Sequence, residues 1–150
     1  RTGDTNHGCP SWEGSCVVPV GRGRRLREGR DVALVTVGTV GNAAARAAEH
    51  AAAQGVEAAH YDLRWVKPLD TELLDEVGRT FRRVITVEDG CLRGGVGEAV
   101  AAYFNARGYD AHVTCLGIGD AWVEHGTPEQ LHALCGYDEE SIFRALTQPV

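Results

Sequence analysis

Two carboxylates stand at the end of a short apolar run in the middle of the chain. Residues Val84 to Val87 have the apolar, β-branched character of a buried strand, and Glu88 and Asp89 follow them directly. A glycine-rich turn comes next, with Gly90, Gly94, Gly95 and Gly97. Ligands and partners meet open α/β sheets at the carboxyl ends of strands, so this stretch predicts an anion site or a tight subunit contact at a helix N-terminus. The simpler alternative is a loop that needs small residues to turn.

A histidine between acids is the best candidate for general acid–base chemistry. His125 follows Glu124 and lies five residues after Asp120, and these carboxylates could orient its imidazole. No nucleophile lies near it in sequence, and Cys115 falls on a predicted buried strand, where a thiol is usually inert. We therefore favour an ordered loop whose polar side chains bind backbone or a partner surface, and we predict no catalytic residue.

Other motifs that could carry chemistry are incomplete. The turn Gly38-Thr39-Val40-Gly41 lacks both the full dinucleotide fingerprint and the lysine of a P-loop. Five arginines between Arg22 and Arg30 could form a phosphate-binding patch, but a solvated approach to the first strand is the preferred interpretation. Arg64-Trp65-Val66-Lys67 could bind RNA, but a net charge of −6 favours a strand-to-helix connection and argues against nucleic acid as a partner.

The composition is that of one globular domain. The chain has 150 residues, 43% of them hydrophobic, and contains neither an apolar run of membrane-spanning length nor a signal-peptide pattern. Its five cysteines form no CxxC pair, which predicts reduced thiols in a cytoplasmic protein. Cys9 and Cys16, with His7 nearby, could bind a metal or form a disulfide, but their spacing fits no zinc template and we predict no metal site. The chain contains no methionine and begins at Arg1, which predicts a processed product or part of a longer protein.

Strand and helix patterns alternate after a glycine-rich start. Residues 1–30 are predicted to be an interdomain linker, in which residues 17–20 could pair at a sheet edge, and residues 31–150 to be the folded domain. The predicted strands are Val32–Val37, Val56–Tyr61, Val84–Val87 and Ala111–Leu116. The predicted helices are Ala43–Gln54 with Asn42 as its cap, Glu72–Gly78, a helix from Gly95 or Val96 to Arg107, Pro128–Leu134 and Glu139–Leu146. This alternation predicts a three-layer α/β fold with a mostly parallel five-stranded sheet and helices on both faces.

Five stretches of the chain, taken in order, resemble a known family. They are Asp31 to Gly38, Tyr61 to Asp70, Val84 to Gly97, Leu116 to Asp120, and Glu124-His125-Gly126. Together they resemble the C-terminal domain of the 1-deoxy-D-xylulose 5-phosphate synthases over residues 18–147. The pattern D-x-R-x-x-K-P-L-D is shared with other transketolase-like thiamine enzymes, whereas the Glu-His-Gly stretch is similar to the synthases in particular. The synthases usually have proline where this chain has Gly119.

The resemblance implies a fold like the transketolase C-terminal domain and an inactive part of a larger enzyme. Such a synthase condenses pyruvate with glyceraldehyde 3-phosphate using thiamine diphosphate and Mg²⁺, which the upstream domains hold, so no cofactor is expected in this chain. The expected partners are those upstream domains and the second subunit of a homodimer. Arg1 could be the remnant of an upstream Tyr-Pro-Arg-Gly motif whose arginine binds the substrate phosphate.

On this resemblance, Glu88, Asp89 and the Gly94-Gly95 turn are expected to pack against another domain or subunit. Glu124 and His125 are expected to shape the loop that faces it. Two alternatives stay open. One is the equivalent domain of a 2-oxoacid dehydrogenase β subunit, which the Glu-His-Gly stretch argues against. The other is a non-enzymatic α/β binding module that is complete in itself.

Overall fold

The structure, a computed structural model, describes residues 18–148 as strands and helices that mostly alternate along the chain. The strands are β1 (Arg24–Arg27), β2 (Val32–Val37), β3 (Ala58–Asp62), β4 (Arg83–Cys91) and β5 (His112–Ile118). The helices are α1 (Val40–Ala53), α2 (Thr71–Thr80), α3 (Val96–Arg107), α4 (Pro128–Cys135) and α5 (Glu139–Thr147). The strand order is β1-β3-β2-β4-β5, with β1 antiparallel to β3 and the remaining pairs parallel. The predicted α/β fold with a mostly parallel five-stranded sheet is confirmed.

The side chains of β2 separate the two halves of the core. Val32 and Leu34 pack on one face of the sheet with α1 and α5, whereas Ala33 and Val35 pack on the other face with α2 and α3. Successive residues of a strand point to opposite faces, so a continuously apolar strand serves two layers at once. The result is the expected three-layer arrangement.

Helix α1 presents a stripe of alanines to the sheet and to α5. These fully buried residues are Ala44, Ala47, Ala48 and Ala51. The helix begins at Val40, not at Ala43 as predicted, because Gly38 adopts a left-handed conformation (φ 81°) that turns the chain at once into the helix. Asn42 therefore lies inside the first turn and is not the cap. Within the part of the chain that the structure describes, no helix is both long and apolar enough to cross a membrane.

Strand β1 corrects the prediction for the start of the domain. Residues 18–20 form no strand, and Arg24–Arg27, inside the predicted linker, is the antiparallel edge strand. The Arg24 Nε lies 3.2 Å from the Asp62 Oδ2, and the Arg25 Nη1 lies 3.0 Å from the Glu76 Oε1. The basic run is thus not a solvated approach, because it pairs with carboxylates of β3 and α2 that are distant in sequence.

Strand β4 is also longer than predicted. It continues from Val87 through Glu88, Asp89 and Gly90 to Cys91, with an irregularity in its pairing with β5 between Val87 and Cys91. The two acids therefore belong to the end of the strand, and the turn begins after Cys91. This register directs Glu88 into the protein and leaves Asp89 exposed.

Candidate functional site

The carboxyl edge of the sheet contains a topological switch point between β2 and β4. The chain leaves β2 toward β3 on one side and leaves β4 toward β5 on the other, and open α/β sheets bind ligands where such crossovers diverge. A cavity of about 510 Å³ opens there. Its lining residues are Val37, Gly38, Thr39, Val66, Glu88, Asp89 and Val96.

Glu88 occupies the site where an anion was predicted to bind. Its carboxylate accepts hydrogen bonds from the backbone nitrogens of Val96 (2.9 Å) and Gly97 (2.8 Å), and the residue is only 5% exposed. The N-cap of α3 is Gly95, which has no side chain to accept these bonds, so the acid from β4 satisfies them instead. The carboxylate also meets the positive end of the helix dipole. The N-terminus of α3 is therefore filled by the protein's own anion and does not present these two groups to a ligand.

The glycines of the turn are required by packing within this chain. A Cβ at Gly95 would lie 2.6 Å from the Glu88 Oε2, and a Cβ at Gly97 would lie 2.6 Å from the Thr86 Oγ1. Gly94 has a left-handed conformation (φ 72°), and Gly90 has ordinary space around it, with the Glu88 Oε2 at 3.4 Å. Because Gly95 and Gly97 are explained in this way, they give no separate support to a subunit contact. A larger residue at position 95, such as valine, would therefore damage the fold of this chain whether or not Gly95 lies at a subunit contact.

Asp89 joins β4 to the segment around α4. Its Oδ1 accepts a hydrogen bond of 2.8 Å from the Tyr137 hydroxyl, and its Oδ2 lies 3.9 Å from the His132 Nε2. The rings of His132 and Tyr137 are in contact, with centroids 4.8 Å apart. Burial, followed by the hydrogen bond to Asp89, raises the pKa of Tyr137 far above its usual value. Tyr137 therefore acts as a neutral donor that fixes the Asp89 carboxylate.

The structure separates the residues that were predicted to act around His125. Asp120 lies 3.1 Å from the Arg93 Nη1 in an exposed ion pair. Glu124 lines a cavity of about 260 Å³ together with Asp89, whereas His125 is exposed and makes no hydrogen bond or ion pair with the described residues. The imidazole at that cavity belongs to His132. The sequence gives no local signal that His132 approaches Asp89, because the two residues are 43 positions apart. It predicts only the start of the helix that contains His132, through the Thr127–Gln130 capping box.

The segment from the β5–α4 loop into α4 exposes three large apolar side chains. Trp122 is fully exposed, Leu134 is 72% exposed, and Val123 is 36% exposed. We call these three residues the Trp122 surface. Asp89 and Glu124 line the adjacent cavity together with Val123, so this edge combines apolar and acidic groups.

The described residues do not fit a site for thiamine diphosphate and Mg²⁺. Residues 18–148 contain no group of three or more side chains placed to hold a metal ion, and Glu88 fills the α3 N-terminus. Arg1, the candidate phosphate ligand, lies outside the described residues, as do His7, Cys9 and Cys16. The prediction that this chain binds no cofactor stays a prediction.

Comparison with known proteins identifies the family. The chain matches the model of the transketolase C-terminal domain over residues 21–142, and it belongs to this family. It is 47% identical to the 1-deoxy-D-xylulose-5-phosphate synthase of Bacteroides fragilis over 93% of this chain and 21% of that protein. It is 40% identical to the same enzyme of Acidovorax ebreus, again over 93% of this chain and 21% of the relative. The chain thus spans about a fifth of the length of these relatives, and the predicted resemblance is confirmed.

Solved structures support the same fold. A split-gene transketolase, described as an inactive beta4 tetramer, superimposes with a TM-score of 0.80 at 34% identity, covering 86% of this chain and 42% of that chain. Transketolase from Campylobacter jejuni superimposes with a TM-score of 0.58 at 15% identity over 83% of this chain and 18% of that chain, which supports the fold alone.

Proposed function

We propose that this chain is the C-terminal, dimer-supporting domain of a 1-deoxy-D-xylulose 5-phosphate synthase. The observation that carries this proposal is 47% identity to such a synthase over 93% of the chain. The whole protein would be a cytoplasmic homodimer. It would condense pyruvate with glyceraldehyde 3-phosphate, with loss of CO₂, to form 1-deoxy-D-xylulose 5-phosphate in non-mevalonate isoprenoid synthesis.

Thiamine diphosphate and Mg²⁺ would belong to the upstream domains of that protein. When bound, the cofactor supplies the carbanion chemistry by which pyruvate loses CO₂. No residue of this chain is assigned a step of that reaction. Glu88, a buried acid at the carboxyl edge, instead holds α3 in place through two backbone hydrogen bonds.

Activity of the intact protein tests the assignment. The protein that contains this chain should convert pyruvate and glyceraldehyde 3-phosphate to the deoxyxylulose phosphate and CO₂, measured by NMR, when both cofactors are present. The 150-residue chain alone should form no product. Oxidative decarboxylation of a 2-oxo acid by the intact protein would instead favour a dehydrogenase β subunit, and product formation by the chain alone would contradict the support role.

The Trp122 surface is proposed to contact the second subunit. Its exposed indole offers a large apolar area, and aromatic side chains of this kind are enriched at the centres of protein interfaces. Trp122→Glu would place a charge there, so the intact protein should shift from dimer to monomer in sedimentation velocity. Gln54→Glu adds the same charge at an exposed position beyond the end of α1 and should leave the dimer intact. A Trp122→Glu protein that sediments like the unchanged dimer would overturn this contact.

A further inference from the structure

A third surface cavity lies toward the opposite edge of the sheet from the first two and has a different electrostatic character. It has a volume of about 430 Å³ and is formed where the amino ends of β4 and β5 meet α5. Its polar lining residues are Arg83, His112, Thr114, Ser141, Arg144 and Gln148. None of the residues that line it is acidic, although the chain as a whole has a net charge of −6.

Arg83 is held in position on one side of this cavity. Its Nη2 donates hydrogen bonds to the backbone oxygens of Ala145 (2.9 Å) and Leu146 (3.3 Å) near the end of α5. The Nε and Nη1 groups have no hydrogen-bond partner among the described residues. A guanidinium that is already anchored loses little side-chain freedom when its remaining donors bind an anion.

Arg144 provides the second cation of the cavity. Its Nη2 donates to the Ser141 Oγ at 3.2 Å, and its Nε lies 3.9 Å from the Glu140 Oε1. That ion pair is long, and both side chains are mostly exposed, so it contributes little and competes weakly with a bound anion. Glu140 itself does not line the cavity.

The geometry points to a binding site for a small phosphorylated molecule, with its phosphate between Arg83 and Arg144. Two guanidinium groups suit a phosphate because each can donate more than one charge-assisted hydrogen bond. Thr114, Ser141 and Gln148 add neutral hydrogen-bonding groups, and Leu116 and Ala145 offer apolar contacts for the organic part. The volume is within the usual range of small-ligand pockets. This site is distinct from the Trp122 surface and does not depend on the proposed synthase activity.

Titration with inorganic pyrophosphate and inorganic phosphate tests the site. The probes are added to the isotope-labelled 150-residue chain at constant ionic strength, and backbone amide shifts are followed by NMR. We expect saturable one-to-one binding, with shift changes concentrated on the amino ends of β4 and β5 and on α5. Absence of saturation, or changes spread over other arginines, would overturn the proposal.

Variants distinguish binding in this cavity from nonspecific attraction of the anion to positive charge. Arg144→Gln should weaken pyrophosphate binding roughly 10-fold or more, the effect expected for losing one charge-assisted contact. Arg82→Gln is the matched control, because Arg82 is adjacent in sequence to Arg83, exposed and paired with Asp110, but does not line the cavity. Equal weakening by both variants would overturn the proposal. Arg83 also holds the end of α5, so Ser141→Ala serves as the second test and should weaken binding more than Arg82→Gln does.

Discussion

The Glu88 Oε2 lies 2.9 Å from the backbone nitrogen of Val96 and accepts its hydrogen bond. This contact joins the end of β4 to the first turn of α3 across a glycine-rich turn. The acid is buried, and its negative charge meets the unsatisfied N–H groups of the helix start, so the same residue anchors the turn and caps the helix.

Glu88→Gln should therefore destabilise the fold. The amide retains one acceptor oxygen but places an NH₂ group against a backbone donor, and it removes the charge. We expect the free energy of unfolding to fall by about 1–3 kcal/mol, measured by urea denaturation. Glu98→Gln is the control, because Glu98 accepts one exposed hydrogen bond from the Gly94 nitrogen and should change stability much less. Equal stabilities of Glu88→Gln and the unchanged chain would contradict the capping role.

A side chain at position 97 should destabilise the fold, because neighbouring atoms occupy the space that it would need. A Cβ there would lie 2.7 Å from the Cys115 Sγ, so Gly97→Ala should lower the free energy of unfolding by about 1–3 kcal/mol through overpacking. Cys115→Ala removes that sulfur. In a double-mutant cycle, Gly97→Ala should lower the free energy of unfolding less in the Cys115→Ala background than in the unchanged chain. Simple additivity of the two changes would show that the contact does not limit Gly97.

Gly94 provides the comparison for conformational strain. It has a left-handed backbone, but a Cβ added there would meet no other atom within 4 Å. Gly94→Ala should therefore lose stability through backbone strain alone, by about 1 kcal/mol in the same urea denaturation. Cys115→Ala should not change that loss, and a clear change would contradict the distinction between packing and strain.

The four tyrosines should ionise at higher pH in the folded chain than in the denatured chain. Burial is the largest cause that raises the pKa of Tyr61, Tyr103, Tyr109 and Tyr137 above the ordinary 10.0, and neighbouring carboxylates add to it. Because the folded pKa values are raised, their contribution to stability is complete below pH 10 and is lost as the pH rises through the folded values. Ultraviolet titration should show a midpoint above that of the denatured chain.

Tyr137→Phe checks the assignment of the most strongly shifted group. This variant removes the donor to Asp89, whose carboxylate is half-exposed and can turn to water, so the stability loss should be only about 0.5–1.5 kcal/mol. The tyrosinate signal that appears last in the alkaline titration should disappear. Its persistence in Tyr137→Phe would assign that signal to another tyrosine.

The ionised carboxylate of Asp75 should stabilise the fold at neutral pH, and this stabilisation should be lost in acid. Its Oδ1 accepts hydrogen bonds from the hydroxyls of Tyr103 (2.7 Å) and Tyr109 (2.8 Å), and these bonds lower its pKa below the ordinary 3.8. A lowered folded pKa contributes stability above pH 3.8 that is lost as the pH falls through the folded value. Asp75→Asn should therefore be less stable than the unchanged chain at neutral pH, and the difference should shrink in acid.

Asp110→Asn is the control for the acid titration. Asp110 pairs with Arg82 where both side chains are mostly exposed, so its loss should have little effect at any pH. A difference between Asp75→Asn and the unchanged chain that stays constant from neutral to acid pH would contradict the pKa argument.

Local patterns in the sequence determined most of the fold. Val32–Val37 is apolar at every position except Thr36, which predicts a strand covered on two sides, and that strand is β2. The capping box at Thr127 predicts the start of α4 because its donors and acceptors lie within three residues of each other. Such signals depend on neighbours in the chain, and the sequence alone contains them.

Tertiary structure decided where the charged groups act. The arginines of β1 pair with carboxylates on β3 and α2. His132 lies beside Asp89, whereas His125 does not join Glu124 and Asp120, with which it was predicted to act. The basic cavity forms between strands and a helix, where Arg83 and the end of α5 are 62 positions apart. Charges that meet across such separations have no periodic signature, because packing of the sheet and its helices brings them together only after the chain has folded.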